Sequence, residues 1–239
     1  MGTRVTLEVP AIGQVGGWLA RPEAAPRGGL VVVQEIFGLN AHMRAVTSRY
    51  ARDGMLALAP ALFDPVERDV ELGYDEAGFE GGRALASALG FERALAIVEA
   101  AAEQLRTLLA EEAPGRRAGV GVVGFCWGGT VAFLAATRLG LPAVSYYGAR
   151  TVPFLDEEPR APVMFHFGAR DHSIPDSDVQ AHRRALPGAD IHVYDAGHGF
   201  NRDVDPRHHD EASARLAHAR TLDFLQSALA SPGTGRSPP

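Results

Sequence analysis

Apolar and polar positions alternate from Arg4 to Pro10, with Val5, Leu7 and Val9 on one side, and this period of two predicts a strand. Gly13 to Ala20 reads as its hairpin partner. Then the pattern changes. Leu30 to Val33, Met55 to Ala59 and Val120 to Val123 are short unbroken apolar runs, the mark of strands covered on both faces. Pro142 to Tyr147, Pro162 to Phe167 and Asp190 to Tyr194 are further strands. Helical spacing fills the intervals. Asn40 is placed to cap a helix that runs to about Asp53, with Gly54 as the residue that ends it. Phe91 to Leu109 is the longest helix, with Leu95, Val98, Ala102, Leu105 and Leu109 on one stripe. Thr130 to Arg138, Pro175 to Leu186 and Pro206 to Leu229 are the others. Ala61 to Gly90 is the least regular stretch: it is acidic and rich in glycine, and a short helix is expected only near Gly82 to Leu89.

Strands alternating with helices predict an α/β fold, a largely parallel sheet with helices on both faces. The expected domain spans residues 1–230. Glu111 to Arg117 is a loop, and the Pro/Gly-rich tail 231–239 is expected to be disordered.

Composition narrows the function. A chain of 239 residues can form one such domain without disulfide or metal support. The single cysteine rules out an internal disulfide and fits a reducing, cytoplasmic setting. The first residues lack the apolar core of a signal peptide, and no apolar run approaches the ~18 residues of a membrane helix. The net charge of −6 is scattered, which argues against nucleic acid and membrane surfaces as partners.

The chemistry centres on Val120 to Arg138. Gly124-Phe-Cys126-Trp-Gly-Gly129 forms a glycine-punctuated turn between a buried strand and a helix. This is the setting of a nucleophile elbow, with cysteine at its apex. A lone cysteine is ordinarily just a small apolar residue. At a helix N-terminus, unpaired N–H groups and the helix dipole favour its thiolate.

A thiol nucleophile needs a base, and the base needs an orienting group. Asp171 follows the strand ending Gly168-Ala-Arg-Asp171, and His198 follows the next strand in a Gly-His-Gly loop. Nucleophile, acid and histidine thus occur in α/β-hydrolase order. His166 and His192 sit inside strands and read as packing residues. His208 and His209 read as a solvated helix start, and no histidine, cysteine or carboxylate cluster has metal-ligand spacing. Glu35 follows a fully apolar strand, where a carboxylate needs a partner or a task. Near the thiol it could take the proton of Cys126 or keep the resting thiol neutral. The backbone N–H groups of Ile36 and Trp127 are the expected oxyanion donors.

These motifs, with Gln34-Glu-Ile-Phe-Gly-Leu-Asn40, Tyr146-Tyr147-Gly148 and Gly197-His-Gly-Phe200, resemble the dienelactone hydrolase (carboxymethylenebutenolidase) family over roughly residues 15 to 225. The resemblance implies an α/β-hydrolase fold and a Cys126–His198–Asp171 triad. It implies that Glu35 interacts with the thiol before substrate binds, and that no cofactor is needed. It implies hydrolysis of an unsaturated lactone to maleylacetate, with Arg202 placed to bind the substrate carboxylate. Tyr146, Tyr74, Arg83 and Phe37 are further candidate substrate contacts. Two departures stand out: the family's second arginine has no clear counterpart before the long helix, and glycine follows His198.

The expectation is therefore a cysteine hydrolase of a small ester or lactone, monomeric or weakly dimeric. An enolate leaving group suits a thiolate, whereas an alkyl ester, whose alkoxide leaves less readily than thiolate, should react poorly. Alternatives are a related esterase or lactonase with another substrate, a thiol peroxidase, a non-catalytic binding module, and a serine hydrolase. A peroxidase would lack a resolving cysteine, and Ser145 and Ser173 lack an elbow.

Overall fold

The structure is a computed structural model and describes residues 2–112 and 118–230. The tail 231–239, and most of the loop expected at 111–117, lie outside the described residues. Eight strands form one sheet: β1 (Gly2–Val9), β2 (Gly13–Ala20), β3 (Gly28–Val33), β4 (Met55–Pro60), β5 (Val120–Phe125), β6 (Ala143–Tyr146), β7 (Val163–Gly168) and β8 (Asp190–Tyr194). Their spatial order is β1-β2-β4-β3-β5-β6-β7-β8. β1 pairs antiparallel with β2 and β2 with β4, and all other pairings are parallel. Every residue of β3, β4 and β5 is buried, so both sheet faces are covered there, as unbroken apolar runs require.

The helices are α1 (Ala41–Arg52), α2 (Glu76–Glu112), α3 (Trp127–Leu134), α4 (Asp176–Ala185) and α5 (Glu211–Ala230). The expected ends of α1 are met: the Asn40 side chain accepts from the Met43 N–H at 3.1 Å, and Gly54 takes φ 95° just past the helix. The expected stripe of α2, from Leu95 to Leu109, is buried.

Two element boundaries differ from expectation. Helix begins at Glu76 rather than Gly82, and Gly90, with φ 74° and ψ 164°, divides α2 into two rods. Its first rod is rich in glycine because it packs tightly: a Cβ at Gly82 would lie 2.2 Å from the Ile36 carbonyl oxygen. α5 begins at Glu211, not Pro206, because the Asp210 carboxylate caps the Ser213 N–H at 2.8 Å. His208 and His209 therefore lie in the preceding turn, where their rings bond Asp205 and the Phe200 carbonyl.

Candidate active site

The parallel strands bring four chemically loaded residues to one end of the sheet. Glu35 stands two residues beyond β3, Cys126 directly beyond β5, Asp171 three beyond β7 and His198 four beyond β8. Open α/β sheets build sites at these carboxyl ends.

Cys126 is held at φ 55° and ψ −121°, a conformation rarely adopted by a residue with a side chain. Its N–H donates to the Tyr146 carbonyl at 3.0 Å, and α3 begins at the next residue. The turn closes only because glycines flank it. A Cβ at Gly124 would lie 1.8 Å from the Gly128 carbonyl oxygen, and one at Gly128 would lie 2.3 Å from that of Gln34.

The sulfur lies 3.2 Å from His198 Nε2, and His198 Nδ1 lies 2.8 Å from Asp171 Oδ2. The other oxygen of Asp171 accepts the Ser173 N–H at 2.8 Å, which fixes the carboxylate plane. Burial works against a charged imidazole, but the Cys126 sulfur and the Asp171 carboxylate outweigh it and hold His198 up at about 10. An imidazole hydrogen-bonded to a thiol on one side and a carboxylate on the other is the arrangement that activates a thiol. Ser145 is buried in β6, its hydroxyl unpartnered among the described residues, and Ser173 serves Asp171 through its backbone. Neither occupies a nucleophile's position.

Glu35 and Arg202 are each only 1 % exposed. Arg202 donates to Glu35 through Nε at 3.1 Å and Nη2 at 2.9 Å. Its Nη1 is 3.4 Å from Asp205. Phe37 and Tyr74 cover the guanidinium, with ring centres 5.2 and 4.7 Å from Cζ. Burial would raise the carboxyl of Glu35, but the adjacent Arg202 charge overcomes this and holds it below the usual range. Separating such a buried pair costs about 3–5 kcal/mol.

Gly199 explains part of this arrangement. It takes φ 76°, and a Cβ there would lie 2.9 Å from Arg202 Nη2. The glycine after His198 thus makes room for the guanidinium to fold inward.

The remaining expected contacts divide. Phe37 and Tyr74 are brought beside Arg202, and Tyr74 is fixed by a 3.1 Å bond from Asn40. Tyr146 is a core residue instead: it is fully buried and its hydroxyl pairs with Thr221 at 2.7 Å. Arg83 is exposed on α2, next to Gly82, which packs against Ile36. Arg202 donates to two protein carboxylates, which balance its buried charge.

Tyr147 belongs to the site and was not singled out from sequence. It lies one residue beyond β6, at φ 40°, with its ring centre 5.0 Å from that of His198 in an edge-on arrangement. It is fully buried, and among the described residues its hydroxyl has no hydrogen-bond partner. Burial, reinforced by the nearby Glu35 charge, keeps that hydroxyl protonated far above the usual tyrosine range. Its place just past a parallel strand was the available signal. In a strand buried on both faces, pattern alone cannot say which of two adjacent tyrosines faces the site.

His166 behaves as expected of a packing residue, with its two nitrogens 2.8 Å from the Tyr194 hydroxyl and 3.0 Å from Thr221. Among the described residues no cluster of histidine, cysteine and carboxylate groups could hold a metal ion, and no helix is long and apolar enough to cross a membrane. A cleft of about 590 Å³ lies between residues 155–163 and 185–189 at the opposite end of β7 and β8, and none of the site residues lines it.

Comparison with known proteins places this geometry. Residues 15–229 match the dienelactone hydrolase family. The chain is 34 % identical over 218 residues to a carboxymethylenebutenolidase of Pseudomonas putida, covering 88 % of this chain and 90 % of that one. It is 34 % identical over 230 residues to a carboxymethylenebutenolidase of Pseudomonas sp. strain P51, covering 93 % and 94 %. Among solved structures, a Klebsiella pneumoniae protein assigned as a dienelactone hydrolase superposes with a TM-score of 0.78 at 30 % identity, over 94 % of this chain and 98 % of that one. A Pyrococcus furiosus esterase, at 16 % identity and a TM-score of 0.64 over 96 % and 92 %, shares the fold alone. The chain therefore belongs to the dienelactone hydrolase family, has the α/β-hydrolase fold, and is a hydrolase of ester or lactone bonds.

Proposed function

We propose that the protein hydrolyses its ester or lactone through a thioester on Cys126, with His198 as the base and Asp171 as its orienting carboxylate. The observation that carries this reading is the hydrogen-bonded line Cys126 Sγ, His198 Nε2, His198 Nδ1, Asp171 Oδ2 at 3.2 and 2.8 Å.

The resting pair is thiolate and imidazolium. The substrate carbonyl sits over the sulfur with its oxygen toward the N–H groups of Ile36 and Trp127. Trp127 opens α3, where N–H groups have no partner within the helix. Ile36 is braced from behind by Gly82 of α2. Thiolate attack gives a tetrahedral intermediate, and its collapse expels the leaving oxygen, which takes the proton from His198 Nε2. The neutral imidazole then removes a proton from water, whose oxygen attacks the thioester. Thiolate leaves, and the proton stays on His198. No cofactor enters this scheme.

In this reading His198, not Glu35, takes the thiol proton, because Glu35 is occupied by Arg202. Glu35 then acts as the counter-charge that fixes Arg202 under the Phe37 loop. The working form is taken to be a cytoplasmic monomer or weak homodimer.

The test is steady-state hydrolysis of p-nitrophenyl acetate by wild type, Cys126→Ala and His198→Ala. Both variants should lose activity by roughly 10³-fold or more. Cys126→Ala with wild-type turnover contradicts the reading.

A further inference from the structure

The sheet ends in two edges, and they differ. β1 carries Arg4 and Glu8 exposed along its length, charges that discourage a further strand from pairing there. β8, at the other edge, has β7 on one side and, among the described residues, no strand on the other. Its one carboxylate, Asp190, stands at its start. Ile191, His192, Val193 and Tyr194 follow, and β-branched and aromatic side chains suit a strand.

One bond fixes which backbone groups β8 turns outward. The Ala169 N–H, just past β7, donates to the Tyr194 carbonyl at 2.7 Å, so Tyr194 directs its backbone groups toward β7. Alternation directs those of Asp190 and His192 the same way, and those of Ile191 and Val193 away from the sheet. Two antiparallel copies exchange N–H···O bonds only where outward-directed residues meet. With a two-fold axis at His192, Ile191 of each copy meets Val193 of the other, and the whole of Asp190–Tyr194 overlaps. An axis at Ile191 or at Val193 pairs only part of the strand.

The side chains suit that register. Phe165 and Phe167, the β7 partners of Ile191 and Val193, pack on His182 of α4, so this face is apolar and brings Ile191 of one copy against Val193 of the other. On the α5 face, His192 stacks on His166 with ring centres 5.6 Å apart. Arg220 of α5 donates to the Tyr194 hydroxyl at 3.2 Å and covers its ring. The register sets Asp190 of one copy opposite Tyr194 of the other, which brings its carboxylate to Arg220, and the axis repeats this contact of opposite charges. Val193 and Leu216, one helical turn before Arg220, are also large apolar side chains left exposed.

We infer that the protein forms a homodimer by antiparallel pairing of β8 with β8 of a second copy, which joins the two sheets into one across a two-fold axis at His192. The pairing stands apart from the chemistry at Cys126.

Sedimentation velocity from about 1 to about 100 µM should show a monomer–dimer equilibrium. Val193→Pro removes an outward N–H and leaves the bonds to β7 in place, and Val193→Lys sets a charge against Ile191 of the other copy. Each should weaken the dimer by roughly tenfold or more, while the melting temperature of dilute protein stays near that of wild type. Val193→Lys, at an exposed position, decides the matter if Val193→Pro fails to fold. In a Cys126→Ser background, His192→Cys should cross-link on mild oxidation, because this residue faces its own copy across the axis, and Ile191→Cys should not. A wild-type monomer throughout that concentration range overturns the inference. So does a dimer that the Val193 variants leave intact, or one cross-linked through Ile191→Cys and not through His192→Cys.

Discussion

Glu35 and Arg202 form a bidentate ion pair, 2.9 and 3.1 Å long, closed off from solvent. The pair links the loop after β3 to the loop after β8, so the two sides of the site are joined through one buried charge contact. Neither partner is dispensable, because each leaves the other buried and unbalanced. Arg202→Met and Glu35→Gln should each destabilise the protein by about 3–5 kcal/mol. The double variant should recover part of that loss, as read by urea denaturation in a double-mutant cycle. Fully additive losses would show that the pair is not coupled.

Asp171 should matter for rate far more than for stability. Asp171→Asn keeps the shape but disturbs the tautomer and charge of His198, and kcat should fall by up to about 10⁴-fold. Circular dichroism should be unchanged. A decrease of less than about tenfold would remove Asp171 from the orienting role.

The pH response follows from two shifts of opposite direction. His198 is raised from its usual range to about 10, so its charged contacts stabilise the fold fully below the unfolded value, near 6.5, and are lost as pH rises through about 10. Glu35 is depressed, so its contribution is present above the usual glutamate value and is lost as pH falls through the lowered one. Stability measured against pH should therefore fall at both ends. His198→Asn should flatten the alkaline limb and Glu35→Gln the acid limb. NMR titration of the His198 ring with a midpoint near 6.5 would refute the alkaline half of this account.

The elbow glycines should resist even one carbon. Gly124→Ala and Gly128→Ala would press Cβ against backbone oxygens at 1.8 and 2.3 Å, where neither partner can rotate away. The expected cost is at least about 1–3 kcal/mol, together with loss of activity, read by thermal melting and esterase assay. A fully active Gly124→Ala variant would mean that the turn is looser than its geometry.

Much of this was legible in the residue pattern, for identifiable reasons. Unbroken apolar runs located β3, β4 and β5, and chemically loaded residues just past strands located Cys126, Asp171 and His198. The first rod of α2 was hidden because glycines that normally argue against helix are there to let it pass close to Ile36. The start of α5 was displaced because Asp210, not Pro206, provides the cap. Sequence order places Arg202 near the base but cannot show that Gly199 lets it fold back onto Glu35. Tyr147 cannot be told from Tyr146 by pattern, because burial on both faces of β6 erases the alternation that would separate them.

The measurement that bears most directly on the central claim is rapid-quench mass spectrometry of wild-type protein mixed with p-nitrophenyl acetate. A transient acetyl adduct should appear on the peptide containing Cys126 and form with the burst of p-nitrophenolate. A burst with no adduct on Cys126, or an adduct on another residue that turns over at the steady-state rate, would contradict it.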